Sequence, residues 1–207
     1  MKKNGIDISR WQSTVDFKTL RDIDGIDFII LKCGGSDKGR YIDKTFYARY
    51  FDCKQYNINV GAYYFVGSKC DSISDGYNDA LALLDAVKGL QFEYPLYIDF
   101  EAPPATNKIG NTNAVIAFCE TLEHAGYYAG VYASDISGFR DRLDLSRLNS
   151  YDKWVARYGK EPTNVKKYGI WQYTSKGILY GIPGFVDRDY SYRDYPSIMK
   201  SKHLNGF

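Results

Sequence analysis

Strand-like and helix-like segments alternate through the first two-thirds of the chain and then stop alternating, and that break limits the folds open to it. Ile6-Asp7-Ile8 reads as a first strand, and Asp16–Arg21 follows with apolar spacing of three and Ser13 or Thr14 as its N-cap. The β-branched run Ile26–Cys33, ended by Gly34-Gly35, predicts strand two, and Asn59–Val66 strand three. Tyr94–Glu101, with Pro95 at its tolerated entry, predicts strand four, and Tyr127–Ala133 strand five. Between them, Asp43–Gln55, Ser72–Lys88 before Gly89, and Asn111–Ala125 before Gly126 carry helical spacing. Such alternation implies parallel strands joined by right-handed crossovers. Three further strand-like runs come later: Trp154–Ala156, Ile170–Tyr173 and Gly184–Asp187. The gaps between them, about ten residues each, are too short for a crossover helix with its loops. The expected fold class is α/β, with five β/α units followed by three strands, and eight strands close a barrel that side chains just fill. Residues 1–195 are expected to form this one domain. Residues 196–207, with Lys200, Lys202 and His203, read as a frayed tail or the start of a linker.

Charge excludes several function classes. Lys plus Arg number 27 against 25 Asp plus Glu, for a net charge of +2, so nothing suggests a nucleic-acid partner. No apolar stretch is long enough for membrane insertion. Lys2-Lys3 is followed by no apolar core, so no signal peptide is visible. Cys33, Cys53, Cys70 and Cys119 form no Cys-x-x-Cys pair and read as free thiols. With only His124 and His203, a zinc site or a His-assisted nucleophile has little raw material. No metal and no cofactor are expected.

What remains is carboxylate chemistry on an aromatic surface. In a β/α barrel the reacting groups sit at the carboxyl ends of the strands. Strand one ends at Asp7, strand four at Asp99 and Glu101, and strand eight at Asp187. Period-two alternation puts Asp99 and Glu101 on one face and Phe100 on the other. Two close carboxyls raise the pKa of one of them, and an acid beside a carboxylate is what glycoside hydrolysis needs. Acids also cluster simply where strands leave a core, but here three strand ends agree. The chain holds 20 Tyr, 11 Phe and 3 Trp. Tyr63, Tyr64, Tyr132, Trp154 and the Trp171-Gln172 pair lie on predicted strands, where they could stack sugar rings and offer hydroxyls.

These residues match a known pattern. Gly5-Ile6-Asp7-Ile8-Ser9-Arg10-Trp11-Gln12, Tyr97-Ile98-Asp99-Phe100-Glu101, Gly130-Val131-Tyr132, Trp154-Val155-Ala156-Arg157-Tyr158, Trp171-Gln172-Tyr173 and Phe185-Val186-Asp187 stand in the order and strand context of one family. From Gly5 to about Tyr190 the chain resembles the family 25 glycoside hydrolases, lysozymes that cut peptidoglycan. The resemblance implies a flattened TIM-like barrel and hydrolysis of the β-1,4 bond between N-acetylmuramic acid and N-acetylglucosamine, with retention. It implies Glu101 as general acid/base, with Asp7, Asp99 and Asp187 in the other acidic positions. Tyr63, Tyr64, Tyr132, Trp154 and Gln172 are expected to bind the glycan. The 2-acetamido group of the substrate is the expected nucleophile, with a direct Asp nucleophile as the alternative. The implied partner is the glycan strand of bacterial peptidoglycan, reached after lysis or export, and a cell-wall-binding domain could lie outside this chain. Two departures stand out: Tyr63-Tyr64-Phe65 replaces a common Tyr-His-Phe, and Lys32-Cys33-Gly34-Gly35-Ser36 lacks the usual acid after strand two. The alternatives are a silent wall-glycan-binding module and a hydrolase of chitin-like acetamido glycans.

Overall fold

The computed structural model describes residues 2–207. Its elements are β1 (Lys3–Ile8), α1 (Phe17–Asp22), β2 (Phe28–Gly35), β3 (Tyr41–Ile42), α2 (Phe46–Gln55), β4 (Asn59–Phe65) and α3 (Ile73–Val87). There follow β5 (Leu96–Asp99), α4 (Lys108–His124), β6 (Ala129–Ser134), β7 (Asp152–Ala156), β8 (Ile170–Leu179), β9 (Ile182–Ser191) and α5 (Tyr195–Ser201). Strands β1, β2, β4, β5, β6, β7 and β8 run parallel in that order, and antiparallel β9 closes the ring between β8 and β1. The short β3 lies outside the ring on the end of β2. This is the α/β, TIM-like barrel of eight strands that the sequence rhythm implies.

Four details differ from expectation. The fifth β/α unit has no full helix: a π turn (Asp135–Arg140) and a 3-10 turn (Leu145–Leu148) take its place. The short connection after β7 still joins parallel strands, because the buried Asp135 carboxylate pins it, accepting from the backbone N–H groups of Thr163, Asn164 and Val165. Asp187 does not end its strand. It lies midway along β9, opposite Asp7, because β9 runs downward from a hairpin raised above the rim. The N-cap of α1 is Asp16, whose side chain accepts from Thr19 N, and not Ser13 or Thr14, which stand too far before the first turn.

The core has two layers. Aliphatic faces of the strands pack outward against the helices. The barrel interior is aromatic: Trp154 sits at its centre, with ring centroids 4.4 Å from Tyr132, 5.4 Å from Tyr97 and 6.0 Å from Tyr63. Small residues make room for these rings. A Cβ on Gly130 would lie 2.3 Å from the Tyr97 ring, and one on Gly5 2.2 Å from that of Phe28.

The frayed tail expected over the last residues is instead folded. Tyr195 and Met199 plug the lower end of the barrel, and the Tyr195 hydroxyl donates to the Asp152 carboxylate. The fully buried Asn205 donates to Tyr94 O at 2.8 Å and accepts from Tyr128 N at 2.7 Å. Its φ of 55° lies in the left-handed region, which Asn tolerates better than most residues. A seven-residue helix with Lys200 in its last turn and Lys202 just beyond it carries too weak a periodic pattern to read from sequence. Asn205→Ala strands two buried backbone groups, so it is expected to lower the unfolding free energy by about 2–4 kcal/mol. Urea denaturation checks this, and a shift below about 0.5 kcal/mol would contradict the plug.

Candidate active site

Each candidate acid is carried to the rim by a neighbouring strand. Asp7 lies in the buried stretch of β1, one residue before its end, and its register partner on β9 is Asp187. Asp99 is the last residue of β5, and Glu101 stands two residues on, past the strand and open to solvent. All four line one cavity of about 460 Å³, which continues into a deeper one of about 190 Å³ bounded by the same acids. Tyr63, Tyr132, Trp154 and Gln172 line the deeper part.

Tyr64 is the exception among the sequence-selected residues. It alternates with Tyr63 and therefore faces outward, where its hydroxyl donates to Gly35 O at 3.0 Å and its ring packs near Phe118. It belongs to the layer beneath the helices and not to the cleft.

A directional hydrogen-bond chain fixes the floor. The hydroxyls of Tyr132 and Tyr158 both donate to Gln172 Oε1, at 2.9 and 3.1 Å. That turns the Gln172 amide nitrogen toward Asp7, where it donates to Oδ2 at 2.7 Å. Trp154 Nε1 donates at 2.8 Å to a fifth acid, Asp189.

Burial sets the electrostatics. Asp99 is 5% exposed, and burial, then the like charge of Glu101, push its carboxyl well above the usual range, with Lys32 opposing. Burial also raises Glu101, against the cations Lys32 and Arg142. Asp7 is raised well above its ordinary value by burial and then by Asp189 and Asp187. Asp187 is pushed up to about 6, chiefly by burial. Asp99 Oδ1 is buried without a hydrogen-bond partner among the described residues, in a wall of the cavity. The site thus keeps its protons to higher pH than exposed carboxyls would and presents an unsatisfied acceptor to whatever enters.

Sequence reasoning missed Lys32, Tyr158 and Asp189 as site residues. Lys32 alternates inward after Phe28 and Ile30, and its Nζ stands 4.4 Å over the Phe65 ring. Asp189 follows Asp187 by two, the same alternation that exposed the Asp99–Glu101 pair, and that signal was available. No cluster of three His, Cys, Asp or Glu side chains among the described residues has the geometry to hold a metal ion. All four cysteines are buried free thiols away from the cleft. No helix of the described residues is long and apolar enough to cross a membrane.

Comparison with known proteins agrees with this architecture. The model of glycosyl hydrolases family 25 matches residues 6–182. YegX of Escherichia coli K12, itself uncharacterized, is 27% identical over 199 residues, covering 89% of this chain and 67% of that protein. The CTP1L endolysin structure superposes with a TM-score of 0.82 at 27% identity, over 96% of this chain and 70% of its own. The autolysin LytC of Streptococcus pneumoniae, solved with a synthetic peptidoglycan ligand, gives a TM-score of 0.79 at 26% identity, over 92% of this chain and 47% of LytC. The family match spans most of the barrel and three of its four rim acids, Asp7, Asp99 and Glu101, and the chain belongs to family 25 of the glycosyl hydrolases.

Proposed function

We propose that the protein is a muramidase that cleaves the β-1,4 bond between N-acetylmuramic acid and N-acetylglucosamine in peptidoglycan, with retention. The observation that carries this reading is the Asp99–Glu101 pair, a buried carboxyl with an unpartnered oxygen beside a raised, more open one. Glu101 protonates the glycosidic oxygen as the bond breaks. The carbonyl oxygen of the substrate's own 2-acetamido group attacks C1 from the opposite face, giving a cyclic oxazolinium ion. Asp99 Oδ1 accepts the acetamido N–H, orients the group and offsets the positive charge that develops on it. Glu101, now a carboxylate, takes a proton from water, which attacks C1 and restores the original configuration. Asp7 and Asp187 accept hydrogen bonds from the sugar, and Tyr63, Tyr132 and Trp154 give the floor on which the ring lies. Tyr64 has no part in this reading.

Mass analysis of fragments released from purified cell walls tests the assignment. New reducing ends on muramic acid are expected. Reducing ends on glucosamine would favour a hydrolase of chitin-like acetamido glycans, and no release would favour a glycan-binding module.

Activity is also expected to survive exhaustive EDTA treatment unchanged. A divalent cation among these carboxylates would favour their ionised forms and strip the proton from the general acid. Loss on chelation with recovery on one specific cation would overturn this acid–base scheme.

A further inference from the structure

The muramidase scheme makes no use of Asp189, although it is one of the most deeply buried acids in the barrel, at 1% exposed. It sits on β9 two residues beyond Asp187, opposite Gly5 of β1 and one inward-facing position from Asp7. Trp154 Nε1 satisfies its Oδ1, while Oδ2 is buried and receives no donor from the described residues. Asp7 and Asp189 lie within side-chain hydrogen-bonding reach of each other. On its other side Asp7 is committed as an acceptor, because two tyrosine hydroxyls fix the Gln172 amide so that its nitrogen donates to Asp7 Oδ2. Two acids that each already accept from a fixed donor now meet carboxyl to carboxyl. With both ionised, that contact is two anions in a water-poor floor. With one proton between them it is a short, charge-assisted hydrogen bond.

We propose that Asp189 is a positioning residue that holds Asp7 through a single proton shared between the two carboxyls. The pair carries one negative charge, and Asp7 is clamped between Gln172 and Asp189 with its orientation set for the substrate. The surrounding groups are consistent with this. Asp187 on β9 adds a like charge, and Arg188 on β9 weakly opposes it. Tyr63, Tyr132 and Tyr158, from β4, β6 and the segment after β7, are all raised in pKa, first by burial, and stay neutral beside Asp7. At this level β2 pairs Asp7 with apolar Ile30.

Burial, then Asp187, push Asp189 up to about 8, with the Trp154 N–H opposing. A folded-state value raised above the unfolded one means that stability is lost as pH rises, here up to about 8. The contact lowers Asp189 and raises Asp7, so Asp189 ionises first and Asp7 donates the proton that the pair then shares. Asn at position 189 would supply an N–H at every pH.

Carboxyl titration by ¹³C NMR on aspartate-labelled protein is the direct test, comparing wild type with Asp189→Asn. One aspartate step near pH 8 is expected in the wild type and should vanish in the variant, whose melting temperature should fall less between neutral and alkaline pH. An identical set of aspartate titrations in the two proteins overturns the proposal. Turnover of purified cell walls is the second arm, and it rests on the muramidase reading. Asp189→Ala is expected to lose at least about tenfold in kcat with little change in KM, and Asp189→Asn to restore it to within about threefold. A fully active alanine variant, or an inactive asparagine variant, overturns the positioning role. If the alanine variant does not fold, the asparagine variant and the titration decide. Wild type that releases nothing from walls sinks the muramidase reading instead and leaves the titration, which needs no substrate, to decide the shared proton.

Discussion

Glu101→Gln is expected to fold like the wild type and lose roughly 10²–10⁴-fold in kcat on purified cell walls, the usual contribution of a general acid. The amide keeps the shape of the side chain and its place in the cavity wall but has no proton of suitable acidity for the leaving oxygen. Folding should be unaffected because Glu101 makes no side-chain hydrogen bond to another described residue and stands past the end of β5. The sign of its perturbation fits the role. Partial desolvation of its carboxyl in the cavity wall raises its pKa, and Lys32 and Arg142 restrain the rise, so the acid keeps its proton to higher pH than a fully solvated glutamate. KM should change little, since the lost interaction belongs to the transition state. A variant with near-native kcat would remove Glu101 from the mechanism.

The parts of this site that were legible in the sequence are those that period-two alternation exposes. Asp99 and Glu101 flank a buried Phe100, and Asp7 follows a single apolar residue into the rim, so these cleft acids are legible from the sequence alone. The same rule, applied to Tyr63 and Tyr64, should have separated them: adjacent residues on a strand cannot both face the cleft, and Tyr64 packs under the helices. The sequence points to Asp187 for a different reason than the one that places it. The sequence suggests a strand end there, whereas the strand is antiparallel and passes through the rim, which also brings Asp189 to the floor. The direction of β9 depends on the β8–β9 hairpin, and no local pattern marks it. The plug formed by α5 and Asn205 was invisible for a similar reason: a short helix is stabilised by where it docks, not by its own periodicity.

Asp99→Asn should separate catalysis from stability. Its carboxyl is deeply buried, held well above the usual range by burial and then by Glu101, and one of its oxygens has no partner. Such a group costs the empty protein stability. With a folded-state pKa raised above the unfolded one, its contribution is best at acid pH and is lost as pH rises, so the neutral amide should melt higher than the wild type near neutral pH and match it in acid. Activity should move the other way. Without the negative charge nothing offsets the positive charge that grows on the acetamido group, and kcat should fall by roughly 10²–10³, the effect typical of deleting one electrostatic partner of a transition state. The pH profile supplies a third readout. In the proposed scheme Asp99 is ionised while Glu101 keeps its proton, and that proton then leaves against the charge on its neighbour. Asparagine removes that charge, so Glu101 should ionise more readily and the alkaline limb of kcat/KM should move to lower pH. A limb that stays in place, or moves upward, would show that the two carboxyls do not share the work. A variant that loses stability together with activity would make Asp99 a structural support of β5 and not the partner of the reacting amide.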